Sequence, residues 1–213
     1  MKVLELFSGT RSVGKCCDVL GWECVSLDIN DNCDIKCDIL EWDYKIYDKD
    51  EFDIIWASPP CASFSRLQRS AIRKNRKDGK VKTLQDIEEN MKNNGDPIVK
   101  RTLEIIKYFT PELWFLENPQ TGFLKDREYM KDLPYYDVDY CMYSDWGYRK
   151  RTRIWTNKKD FKNLMCGRIH GHRCNNRIGQ RHKVILGQEL ENYTTLDDRY
   201  RIPEELIYSL FLE

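Results

Sequence analysis

No stretch of this chain approaches the roughly 20 consecutive apolar residues needed to cross a bilayer, so no membrane span or membrane partner is expected. An excess of one charge is missing too: 35 Lys and Arg balance 35 Asp and Glu, leaving any charge effect to local distribution. Internal repeats and low-complexity tracts are absent. A paired cysteine framework is also lacking, since nine is an odd number. Each thiol is therefore judged singly, as a packing group, a ligand or a nucleophile. The start, MKVLELFSGT, has a short apolar stretch that meets Glu5 at once and does not read as a signal peptide; an unsecreted, intracellular protein is expected. What is present is enough to fold. The chain has 213 residues, with 6 Trp, 12 Tyr and 8 Phe. That suffices for one core, or one domain with a small appendage, without disulfide staples.

The balanced charge is unevenly spread. Residues 1–60 carry 13 acids against 6 bases. Residues 66–82 carry eight bases (Arg66, Arg69, Arg73, Lys74, Arg76, Lys77, Lys80, Lys82) and one acid, Asp78. Residues 149–183 carry twelve bases and one acid, Asp160. Two basic segments on a neutral chain point to nucleic acid, although solvated loops carry such runs as well.

Short apolar runs alternate with helical stretches through the first half. Residues 2–7 (KVLELF) read as a strand, followed by the turn Ser8-Gly9-Thr10 and a helix over 11–20 that ends at Gly21. Residues 23–27 read as a second strand ending at Asp28, and 34–39 as a third. Residues 52–57 (FDIIWA) suit a strand buried on both faces and stop at Ser58-Pro59-Pro60. The polar stretch 66–95 reads as a loop with some helix. A long helix is expected from Asp96-Pro97, with Asp as cap. Residues 113–116 form the next strand, stopping at Glu117-Asn118-Pro119. Residues 138–143 and 153–156 look antiparallel, and 203–212 helical. This alternation predicts an α/β fold with a doubly wound, mostly parallel sheet. Three parts are expected: a core over 1–157, a small basic, irregular, Cys/His-rich recognition segment over 158–195, and a C-terminal helix over 196–213 returning to the core.

Polar residues cluster where such strands end, which is where doubly wound sheets bind ligands. The Gly turn at Ser8-Gly9-Thr10 would let a ligand approach backbone N–H groups at a helix start, or is simply a tight connection. Asp28 is placed to accept hydrogen bonds from ribose hydroxyls, or faces solvent. Cys61 follows two stiffening prolines, as a catalytic thiol would, with Arg66 and Arg69 near enough in sequence to lower its pKa. Its other reading is a buried structural cysteine. Glu117 would exchange protons beside Cys61 if the two strands are neighbours, or serve the turn.

Taken in order, these motifs resemble the cytosine-C5 DNA methyltransferases. LELFSGTRSVG is similar to the family's S-adenosylmethionine loop, Ser58-Pro59-Pro60-Cys61 with Phe64-Ser65 to its Pro-Cys motif, Glu117-Asn118 to its Glu-Asn pair, and Arg151-Thr152-Arg153 to its Arg-x-Arg element. The resemblance implies a Rossmann-like, S-adenosylmethionine-dependent methyltransferase fold acting on DNA. Phe7, Ser8, Gly9, Thr10 and Pro59 would contact the cofactor, Asp28 its ribose and Asp38 its adenine amino group. Cys61 would attack C6 of a flipped cytosine, Glu117 would hydrogen-bond N3, and Arg151 and Arg153 would grip the base. The basic segment 66–82 would close over the site. The sequence departs from the family at Arg11, where a small residue is usual, at Pro119 for Val, and at Arg149 for Gln. Only 60 residues follow Arg153, so the DNA-reading part is small or is supplied by a partner. Rival readings are an amino-methyltransferase, a non-catalytic nucleic-acid-binding module on the same fold, and an enzyme acting on RNA.

The three histidines, His170, His172 and His182, fall within thirteen residues. Cys166, His170, His172 and Cys174 offer four N/S ligands for a structural zinc ion, with Cys141 or His182 as a spare. A Cys/His-bearing basic loop that touches DNA without metal is the alternative.

Overall fold

Apolar runs bounded by turn residues become the strands. The computed structural model describes residues 1–72, 81–186 and 194–212. Arg73, Lys74, Arg76, Lys77 and Lys80 of the expected basic segment lie outside the described residues. In chain order come β1 (Lys2–Leu6), α1 (Ser12–Leu20), β2 (Glu23–Asp28), β3 (Ile35–Lys36), β4 (Ile54–Ala57), α2 (Leu84–Asn90), α3 (Asp96–Phe109), β5 (Leu113–Pro119), β6 (Tyr135–Asp139), β7 (Arg151–Thr156), β8 (Arg177–Ile178), β9 (Arg181–His182), α4 (Leu196–Tyr200) and α5 (Glu204–Leu212). Seven of the strands form one sheet in the order β3-β2-β1-β4-β5-β7-β6. The first five are parallel, and β7 is antiparallel to both neighbours. The expected α/β class with a mostly parallel sheet is therefore what the chain forms.

Alternation along each strand divides the core between two faces. Val3, Ile54, Trp56, Phe115 and Ile154 pack with α1 residues Val13, Cys16 and Cys17, and with Leu206, Ile207, Leu210 and Phe211 of α5. Leu4, Leu6, Ile55 and Ala57 pack against Ile105, Ile106 and Phe109 of α3. Leu116, Trp155, Phe64 and Val99 extend that second face. α1 ends where expected: Gly21 takes the left-handed conformation at φ 68°, and Trp22 N–H donates to Cys17 O at 3.0 Å.

The helix expected from Asp96 begins differently. It continues from α2 through one wide turn at Met91–Gly95, so Asp96 already has helical dihedrals and caps nothing. Its buried carboxylate instead accepts from Arg127 and from the Tyr129 hydroxyl, the latter at 2.7 Å. α2 itself lies in a stretch of little apolar content. It is started by reciprocal Thr83 and Asp86 hydrogen bonds and held by Ile87.

Candidate active site

Parallel pairing puts the carboxyl ends of β1, β2, β4 and β5 along one edge of the sheet. β2 runs from one side of β1 and β4 lies on the other, so the topological switch falls between β1 and β4. Phe7–Thr10, Asp28, Cys61 and Glu117 all lie along this edge.

The turn after β1 is tightly coiled. Phe7, Gly9 and Arg11 all have positive φ, at 61°, 46° and 54°. For the two non-glycine residues that is a strained conformation, costing on the order of 1–3 kcal/mol each. Surrounding hydrogen bonds hold it. Phe7 and Ser8 N–H both donate to Leu27 O at 2.8 and 3.2 Å, and Gly9 N–H donates to Asp28 Oδ2 at 3.0 Å. Asp28 Oδ1 accepts from the backbone and side chain of Asn30. Oδ1 is thereby filled, and Oδ2 retains a further lone pair. Ser8 Oγ is buried and has no hydrogen-bond partner among the described residues. Thr10 Oγ1 lies 2.9 Å from Ser12 Oγ. Asp38, half-buried beyond β3, accepts from Leu40 N–H at 2.9 Å.

The residue beneath this turn was missed by sequence reasoning. Glu5 points inward from β1, only 2% exposed, and accepts the free N–H groups of Val13 and Gly14 at 3.1 and 3.0 Å. Burial pushes its carboxyl up to about 7, against those two N–H bonds and the Arg11 charge. The Arg11 guanidinium lies over the same helix start. A Cβ on Gly14 would meet it at 3.1 Å and Glu5 Oε2 at 3.2 Å. An acid inside an otherwise apolar strand was the available signal.

Cys61 lies just past β4, and Glu117 sits within β5, its immediate neighbour. The next residue ties the two together: Asn118 Nδ2 donates to Pro59 O at 2.9 Å. Pro59 is buried and Cys61 half-buried. Around Glu117 Oε1 stand the Tyr140 hydroxyl at 3.1 Å and Lys150 Nζ at 3.3 Å. Burial raises the Cys61 pKa, the Glu117 charge raises it further, and Lys150 and then Arg199 oppose. The sequence reading instead assigned positive neighbours, Arg66 and Arg69, that would lower it. Those guanidiniums lie over the Phe123 ring, at 5.5 and 4.6 Å. Lys150 and Arg199 are thus the cations that act on the thiol, and sequence reasoning gave neither a role there.

Arg151 and Arg153 are turned away from Glu117. Glu117 is paired with Ile154, so its neighbours on that face of β7 are residues 152 and 154. Arg153 and Arg151 point to the other face, each bidentate to a carboxylate on β6. Arg153 binds Asp137 at 2.7 and 2.9 Å, and Arg151 binds Asp139 at 3.0 and 2.7 Å. Both arginines, expected to grip the base, are engaged by β6 carboxylates in this structure, and strand alternation sets Lys150 beside Glu117.

Two of the four expected zinc ligands come together. Cys166 and Cys174 meet, but with Cys141 and His182 and not with His170 and His172. A turn closed by the Gly167–His172 bridge carries His172 out to solvent and leaves His170 half-exposed, while it folds Cys174 back onto Cys166.

Strand order, coiled turn and Cys61–Glu117 neighbourhood together define a Rossmann-like methyltransferase. Similarity to known proteins narrows the class. The chain is 41% identical over 218 residues to a protein of Frog virus 3 (isolate Goorha) named "Probable DNA (cytosine-5)-methyltransferase", covering 99% of this chain and 98% of that one. This chain therefore belongs to the DNA (cytosine-5)-methyltransferase family and is an enzyme of that class. Among solved structures it is similar in fold to the Entamoeba histolytica methyltransferase EhMeth, with TM-score 0.53 and 15% identity over 78% of this chain. It is also similar to a protein described as a DNA modification methyltransferase encoded within an E. coli prophage, with TM-score 0.50 and 13% identity over 78% of this chain. The chain spans about half the length of these two structures, 55% and 52%. No protein-family model matches it. No helix among the described residues is long and apolar enough to cross a membrane.

Proposed function

We propose that the protein methylates C5 of cytosine in DNA, with S-adenosylmethionine as donor and Cys61 as nucleophile. The observation that carries this reading is Cys61 held beside Glu117 through the Asn118–Pro59 hydrogen bond. The name of the Frog virus 3 relative supports it.

The turn residues fit the donor. Ser8 Oγ is a buried polar atom with no partner among the described residues, and the remaining lone pair on Asp28 Oδ2 suits a ribose hydroxyl. Phe7, Gly9, Thr10, Asp38 and Pro59 complete the cradle. When bound, S-adenosylmethionine supplies an electrophilic methyl group.

The chain's own residues do the rest. The target base leaves the duplex stack and enters between Cys61 and Glu117. Cys61 passes its proton to the neighbouring Glu117 carboxylate, and Sγ forms a bond to C6 as the ring's electron pair moves towards C5. Glu117, carrying that proton, donates it in a hydrogen bond to ring N3 and stabilises the charge developing there, held in place by Lys150 and Tyr140. After C5 has gained its methyl group, a base removes the C5 proton. The electron pair returns to the ring, the Sγ–C6 bond breaks and Cys61 is restored. Arg151 and Arg153 act one step back, fixing β6 to β7.

Residues 1–157 carry the chemistry and 196–213 close onto it. Within 149–183, the basic residues of the segment 158–195 contact backbone phosphate, whereas Lys150, Arg151 and Arg153 are held by carboxylates. A DNA substrate also places the reaction inside a cell.

The test is incubation with S-adenosylmethionine and mixed-sequence duplex DNA, followed by digestion and mass spectrometry of the nucleosides. 5-Methylcytosine that disappears with Cys61→Ala is the expected result. A stable adduct on DNA containing 5-fluorocytosine reports the covalent bond. Methylation surviving Cys61→Ala would favour amine chemistry, and product on RNA alone would move the substrate. No product and no adduct on either, with DNA bound, would leave a binding module.

A further inference from the structure

We propose that Cys141, Cys166, Cys174 and His182 bind one structural zinc ion that clamps the Cys/His-rich segment onto the end of the β6–β7 hairpin.

This segment has little else to hold it. Between Lys158 and Leu186 its regular structure is two strands of two residues each, one 3-10 turn at Arg168–His170 and one isolated bridge. Two of its large apolar side chains, Ile169 and Ile178, are 90% and 73% exposed. Phe161 and Leu164 tie its start to the core, and beyond them it docks where the sulfurs are. Cys166 is fully buried, and the side chain of buried Asn176 donates to Cys141 O and Ser144 O at 3.2 and 2.6 Å. A polar segment without a core of its own is the usual setting for a structural metal.

The four ligands come from three separate parts of the chain. Cys141 follows β6, Cys166 and Cys174 flank the tight turn at 167–172, and His182 lies on β9. Their ligand atoms all lie within 4.8 Å of one another. Zn–S bonds of about 2.3 Å and Zn–N bonds of about 2.0 Å give a tetrahedron with edges of about 3.8 Å between sulfurs and about 3.5 Å from sulfur to nitrogen. The three edges among Cys166, Cys174 and His182 agree, with Cys141 Sγ within 4.8 Å of each. Cys166 Sγ to Cys174 Sγ is 3.6 Å, Cys166 Sγ to His182 Nε2 is 3.7 Å, and Cys174 Sγ to His182 Nε2 is 3.3 Å.

The surroundings suit metal-bound thiolates. Arg177 Nη1 lies 3.7 Å from Cys166 Sγ and offsets the surplus negative charge of three thiolates on a divalent ion. Asp139 Oδ2 accepts from Cys166 N–H at 2.8 Å, and the same carboxylate holds Arg151. Three sulfurs and one imidazole in a closed set select zinc over hard cations, and no ligand place is left for catalysis. A disulfide would use only two of the three thiols and would give the imidazole no role. With the ion in place, Arg173, Arg177, Arg181 and Lys183 are presented on a fixed frame.

The experiment begins with the full chain, purified without added metal and measured by elemental mass spectrometry. One zinc per chain is expected. The cobalt-substituted protein should show the visible absorption of a tetrahedral thiolate site. Cys174→Ser should lose the ion, whereas His170→Ala combined with His172→Ala should keep it. Because Cys174→Ser can also disturb the local fold, chelation of the wild-type protein is the companion test. Amide exchange should quicken across 166–184 and stay unchanged in β1, β4 and β5. A folded wild-type chain that neither contains nor takes up zinc overturns the proposal. So does a Cys166–Cys174 disulfide found by peptide mapping, or zinc lost with the two outer histidines and kept by Cys174→Ser.

Discussion

Lys150 Nζ lies 3.3 Å from Glu117 Oε1, and both side chains are at most 10% exposed. The lysine reaches this carboxylate because β7 pairs with β5 in a register that sets 152 and 154, not 151 and 153, on the Glu117 face. A buried ion pair of this kind is costly to break on one side, by about 3–5 kcal/mol, because the surviving charge stays buried without a partner.

That pair makes the Cys61 thiol a direct reporter. Burial and then the Glu117 charge hold the thiol pKa above its ordinary value, with Lys150 opposing. Alkylation by iodoacetamide follows the thiolate, so its pH midpoint should lie above that of an ordinary cysteine. Glu117→Gln removes a raising charge and should move the midpoint down. Lys150→Met removes the opposing charge and should move it up. Rates against pH on the otherwise cysteine-blocked protein check this, and identical midpoints for the three proteins would refute it.

Asn118→Ala tests how Cys61 is held. The lost bond to Pro59 O costs about 1–2 kcal/mol of stability, and a small displacement of the thiol should lower kcat on the order of 10²-fold with little change in KM for DNA. Single-turnover methylation beside thermal unfolding separates the two effects. Activity within about twofold of wild type would mean the loop is positioned otherwise.

Glu5 carries a pH signature. Its carboxyl, raised mainly by burial, releases its proton at about 7 in the folded protein and near 4.5 when unfolded. The folded state therefore binds the proton more tightly, and stability falls as pH rises from 4.5 through 7, by up to about 3 kcal/mol. The stability is fully present below pH 4.5. Carbon-13 titration of labelled glutamate side chains should find one carboxyl with a midpoint near 7; if all titrate near 4.5, the assignment is wrong.

Asp96→Ala should destabilise without touching the chemistry. It leaves the Tyr129 hydroxyl without its acceptor and Arg127 with Glu88 alone at the foot of α3. A loss of about 2–3 kcal/mol corresponds to a Tm drop of roughly 5–10 °C for a chain of this length. Calorimetry checks it, and a drop under about 2 °C would show that the network contributes little.

Much of this arrangement is legible in the sequence, because local rules govern it. Continuous apolar runs such as FDIIWA, cut off by Ser-Pro-Pro, give buried parallel strands and set Cys61 and Glu117 at their ends. What escapes is decided by pairing across distance. Nothing local tells which face of β7 carries Lys150 or turns Arg151 and Arg153 onto Asp139 and Asp137. Arg199 reaches Cys61 from the far end of the chain, and Cys141 joins a group 25 residues downstream. α2 is the opposite case: its Thr83–Asp86 signal was there to be read, but the polar composition around it masks the helix.

The coiled turn after β1 is also coupled to the chain's last dozen described residues. Ile202 N–H donates to Ser12 Oγ at 3.0 Å, and Leu206, Ile207, Leu210 and Phe211 seal the α1 side of the sheet. A ribosome-bound chain has made the turn long before it has made its seal. Until residue 211 clears the exit tunnel, α1 has an uncovered apolar flank and the strained turn lacks its last hydrogen bond. The order of the turn is therefore written partly at the far end of the chain: a product cut before Ile202 keeps β1 and α1 but loses the bond to Ser12 and the apolar cover over α1.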